Sequence, residues 1–101
     1  MRQASTTTGP VLVTFTAPPN TRTHRRRAAV STLTRELDSR LVEGRPYPGI
    51  PLAYLDGDNI VVQVHPGVSS VGAVKKIVRR AIPKASFFSS VPITASGFAV
   101  S

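Results

Sequence analysis

The chain has 101 residues, 41% of them hydrophobic, and 13 Lys and Arg against 5 Asp and Glu, a formal net charge of +8 at neutral pH. These figures describe one small domain with a modest core, and the absence of cysteine excludes a disulfide framework, thiolate catalysis and the common zinc sites. The positive excess favours acidic partners: nucleic acid, an anionic membrane surface or an acidic protein face.

Residues 1–10 are polar, rich in Thr and Ser and closed by Gly9-Pro10, the composition of an extended N-terminal arm. They lack the apolar stretch of a secretory signal. No apolar run approaches the roughly 20 residues of a membrane span. The expectation is therefore cytoplasmic synthesis and no membrane partner.

Residues 11–16, VLVTFT, read as a strand with Val11, Val13 and Phe15 on one face and Leu12, Thr14 and Thr16 on the other. Pro18-Pro19 ends it. A helix is expected over 23–43, capped by Thr21 or Thr23. Its buried stripe is Val30, Leu33, Leu37 and Leu41, Glu36 and Arg40 form an i,i+4 pair, and Gly44 and Pro46 stop it. Residues 45–51 hold three prolines and form a restricted loop, with Tyr47 either a contact residue or a lid on a helix end.

Residues 52–55 and 60–65 form a hairpin around Asp56-Gly57-Asp58-Asn59. Ile60, Val62 and Val64 share one face, and Val61, Gln63 and His65 the other. Pro66-Gly67 breaks the second strand. Ser69 or Ser70 then caps a second helix that Pro83 ends. At about 100° per residue this helix divides in two, Val71, Val74, Ile77, Val78, Ala81 and Ile82 against Lys75, Lys76, Arg79 and Arg80. A last strand is expected near 86–91, with Phe87 and Phe88 on opposite sides and Pro92 confining it to a sheet edge. A second short strand or an extended arm follows over 93–100.

The order β-α-β-β-α-β predicts an α+β fold, a ferredoxin-like split βαβ sandwich whose four-stranded antiparallel sheet carries two helices on one face. The domain is placed at 11–92, between the arm 1–10 and a C-terminal strand or arm at 93–101. The other sheet face would present Leu12, Val61 and one of the phenylalanines. That is apolar enough to call for a cover: the chain's own arm, a second copy or a neighbour.

Chemical motifs are weak by comparison. Gly67 to Gly72 has the glycine spacing of a phosphate loop, but Ala73 and Val74 stand where the lysine and the metal-binding hydroxyl belong. Asp56, Asp58 and Asn59 suggest a cation loop, yet Ile60 and Val61 follow, so a turn is the better reading. His24 and His65 have no acid triad beside them, and Ser69, Ser70, Ser89 and Ser90 lack a nucleophile elbow. No catalytic residue, metal ligand, cofactor or small-molecule substrate is assigned, and no enzyme is expected.

The functional signal is charge. Lys75/Arg79 and Lys76/Arg80 are like-charge pairs four apart, each weakening an isolated helix by roughly 0.2–0.5 kcal/mol. Arg25, Arg26 and Arg27 crowd a first turn where the helix dipole opposes cations by roughly 0.3–1 kcal/mol each. The set Arg25, Arg26, Arg27, Lys75, Lys76, Arg79 and Arg80 is thus the candidate contact for an anion or nucleic acid. The expectation is a non-enzymatic structural subunit of a large assembly, a homo-oligomer or a piece with neighbouring subunits. A viral particle is one such assembly, as a tailed-phage head–tail junction or tail protein, with the basic helices turned to nucleic acid or an acidic neighbour. The alternative is a free nucleic-acid-binding module or ribonucleoprotein component.

Overall fold

The computed structural model describes residues 9–42, 44 and 49–93. The readings made for residues 1–8, 43, 45–48 and 94–101 (most of both arms, the expected last residue of the first helix, Pro46, Tyr47 and most of the final strand) lie outside the described residues.

Six elements follow in the expected order: β1 Val11–Thr16, α1 Thr23–Asp38, β2 Ala53–Asp56, β3 Asn59–Val64, α2 Val71–Ala81 and β4 Ser86–Pro92. The strands form one antiparallel sheet in the order β2-β3-β1-β4. β1 and β3 are central, as suits their runs of branched residues. Pairs such as Val13↔Val62 and Phe15↔Ile60 align the inward positions of the two strands. The hairpin closes between Asp56 and Asn59. Gly57 there has φ +63°, a conformation a residue with a Cβ rarely adopts.

Both helices lie on one face. Val13, Phe15, Ile60, Val62 and Val64 from the sheet pack with Ala29, Leu33 and Leu37 from α1 and Val74, Ile77 and Val78 from α2. The apolar arc of α2 is the one that helical spacing selects. Ser70 is its N-cap, its Oγ accepting from Ala73 N at 3.1 Å. Pro83 follows the C-cap Ile82.

α1 departs from expectation at both ends. Its N-cap is Arg22, with no side-chain cap bond, and Thr23 is already helical. It stops at Asp38 rather than 43. Ser39 Oγ donates to Glu36 O at 2.7 Å, and Arg40 N and Leu41 N reach back only three residues, to Leu37 O and Asp38 O. A hydroxyl that takes a helix carbonyl, followed by tighter i−3 bonds, ends an α-helix early. Gly44 has the expected positive φ, +88°, but closes this turn rather than the helix.

Among the described strands β4 lies at an edge of the sheet, which accommodates Pro92. Its pairing with β1 shifts between Thr14 and Phe15: Thr14 faces Ser89 and Phe15 faces Phe87, so Phe88 is an extra residue, a bulge. Phe87 meets Phe15 edge to face, with ring centres 6.3 Å apart and planes at 80°. Phe87 thus belongs to the helix side, and Phe88 is 63% exposed.

The second sheet face has its own small cluster, Leu12, Val61 and Ile93 with Tyr54 and Val91 against them. Tyr54 is the aromatic packed into this cluster. Beside it Gln63 is buried and its amide is saturated. Nε2 donates to Ile50 O at 3.0 Å and Pro51 O at 3.1 Å, and Oε1 lies 2.8 Å from His65 Nε2. Both carbonyls require the NH2 end, so Oε1 is the acceptor and the imidazole hydrogen sits on Nε2. Burial lowers the His65 pKa.

Candidate nucleic-acid interface

The seven cations selected from sequence take three different roles. Arg26 is turned inward and only 6% exposed. Its Nη1 donates to Thr21 O at 2.7 Å, its Nε to Asp58 O at 3.1 Å and its Nη2 to Pro18 O at 3.4 Å. One guanidinium thereby ties the β1–α1 connection to the β2–β3 turn, and it is withdrawn from any external contact. Arg25 is exposed on the first turn of α1, and its Nη1 reaches across to Ala81 O, 3.2 Å away, at the end of α2. Arg27 is exposed and lines a shallow groove with Val30, Thr34 and Asp38.

On α2 the polar arc faces outward. Lys76, Arg79 and Arg80 are exposed and Lys75 is half-buried. Arg79 Nε donates to Ala85 O at 3.0 Å, steadying the side chain over the α2–β4 connection. Arg80 Nη1 pairs with Glu36 Oε2 at 3.1 Å, where Arg80 is 66% and Glu36 29% exposed. Glu36 therefore serves α2 across the helix layer. An ion pair so exposed is worth at most about 1 kcal/mol. Among the described residues Arg27, Lys75 and Lys76 meet no acid.

Two cations that the sequence reading passed over complete the surface. Arg22 and Lys84 line a depression of about 400 Å³ between the start of α1 and the end of α2, together with Arg25. No acidic side chain lines it. Each flanks a proline-bearing turn, Arg22 after Pro18-Pro19 and Lys84 after Pro83. Only the packing of α1 against α2 brings them together, and the local signal was a single cation beside a helix end.

His24 is exposed on α1, and His65 is buried on the far side of the sheet against Gln63. Among the described residues no three His, Cys, Asp or Glu side chains gather as a metal site, and no helix is long and apolar enough to cross a membrane. Asp56 and Asp58 belong to the hairpin turn. Comparison with known proteins returned no family, no curated protein and no solved structure that matches this chain.

Proposed function

We propose that this protein is a non-catalytic subunit of a nucleic-acid-containing assembly, with its helix layer laid against the phosphate backbone. The observation that supports this most is the gathering of exposed Arg22, Arg25, Arg27, Lys76, Arg79, Arg80 and Lys84 on that layer and its connections, with Glu36 as the acid paired to one of them. Like charges gathered on one layer repel, and a polyanion relieves the repulsion while releasing its own counterions. The assembly half rests on β4, the edge among the described strands, which carries exposed Phe87 and Phe88 and invites pairing with a second copy. A particle that packages nucleic acid would use a subunit of this kind.

A salt titration of binding to duplex DNA tests the first half. Log K should fall linearly with log salt, and charge reversal at Lys76 and Arg79 should flatten the slope by roughly 0.9 per neutralised contact. A flat wild-type slope overturns the reading. Light scattering tests the second half, and a monomer at every concentration, with and without nucleic acid, removes it.

A further inference from the structure

We propose that the depression between the start of α1 and the end of α2 is a pocket for one unstacked nucleotide of a single strand. Its phosphate would sit on Arg22, Arg25 and Lys84, and its base and sugar on Pro18, Ile82 and Pro83. The inference rests on the nucleic-acid reading above and adds to it a strand preference.

The lining has the two chemistries a nucleotide needs. Three cations with no acid among them supply the anion contact. The rings of half-buried Pro18 and exposed Pro83, backed by buried Ile82, give an apolar floor. A volume of about 400 Å³ lies within the range of ligand sites, roughly 300–1,000 Å³. The walls are also fixed in advance. Thr21 N donates to Pro18 O at 2.9 Å and Ala85 N to Ile82 O at 3.0 Å. Arg26 holds Pro18 O and Thr21 O from behind, and Arg25 bridges the two rims through Ala81 O. A site whose walls are already ordered loses less on binding.

Arg79 and Lys76 on α2 do not line this pocket. They meet backbone phosphates in any strand, whereas a base can enter the pocket only when it is neither paired nor stacked. A duplex keeps its bases in the stack and can offer the pocket phosphate alone. The structure therefore assigns single-strand preference to this one place in the layer and general affinity to the rest.

Fluorescence anisotropy on the full chain, with a labelled oligothymidylate and a duplex carrying the same number of phosphates, tests it. The single strand should bind tighter at equal salt, by less than the roughly tenfold of a base stacked on an aromatic ring, since the lining has none. Lys84→Glu should abolish that preference, while Lys76→Glu weakens both ligands alike and leaves the preference standing. Amide NMR shifts with thymidine monophosphate supply a second measurement. Thr21 and Lys84 should move far more than with inorganic phosphate, and Lys84→Glu should remove the difference. Equal binding of both nucleic acids with a steep salt dependence overturns the pocket and leaves the proposed function intact. Binding of neither overturns both.

Discussion

A guanidinium can serve several acceptors from one point because its five N–H groups lie in a fixed plane. Arg26 uses three of them on main-chain oxygens of residues 18, 21 and 58. An ammonium has neither the reach nor the fork. The position was legible in principle: Arg26 lies one turn before Val30 on the stripe that continues through Leu33 and Leu37, and a charged residue on a buried stripe asks for partners. Arg25 and Arg27, about 100° to either side, fall off that stripe and stay exposed. Replacing Arg26 by Met keeps the aliphatic stem and strands the carbonyls. At roughly 1.5–3 kcal/mol for a hydrogen bond to a charged group, Arg26→Met should cost at least about 2 kcal/mol in urea unfolding. Arg27→Met should stay within about 0.5 kcal/mol, as surface changes do. Similar small losses for the two would show the inward arginine to be dispensable.

At the scale of elements, α2 was the most legible part, because one face of branched aliphatics and one of cations leaves a single orientation on the sheet. β1 and the hairpin were legible for the analogous reason at period two. The end of α1 was not, since Ser39 acts through a bond to Glu36 O that periodicity does not encode. Nor was the bulge at Phe88, which depends on register with β1. The exposed cations of the two helices could be chosen from sequence, but not the inward turn of Arg26 or the meeting of Arg22 with Lys84. Those are products of tertiary packing. Two adjacent serines make the point testable. Ser70 Oγ accepts from Ala73 N and caps α2, whereas Ser69 Oγ is buried with no hydrogen-bond partner. Ser70→Ala should cost about 1 kcal/mol. Ser69→Ala removes a desolvated hydroxyl and should be neutral or stabilising. Thermal or urea unfolding separates the two, and a reversed order would mean that Ser69 supplies the cap.

At the scale of the whole molecule, the two faces of the sheet divide the work: the helices and their cations lie on one, and the Gln63–His65 pair with the small apolar cluster on the other. This separation lets pH act on stability without acting on the proposed interface. Burial holds the His65 pKa below its ordinary value, so the unfolded chain, near 6.5, takes up a proton first. The unfolded state then binds more protons and stability falls with falling pH. The contribution of neutral His65 is complete above about pH 6.5 and is lost progressively below it. A proton there also adds to a charge that is already +8, which works in the same direction. Chemical denaturation between pH 7.5 and 5 stays above the usual carboxylate range. Over that interval the unfolding free energy should decline toward acid. His65→Gln, whose amide can still donate to Gln63 Oε1, should decline less. Duplex affinity at fixed pH and salt should be the same for both proteins, because position 65 lies across the sheet from every cation invoked. Parallel pH profiles would remove His65 as the coupled group, and a loss of affinity in the variant would break the division between the two faces.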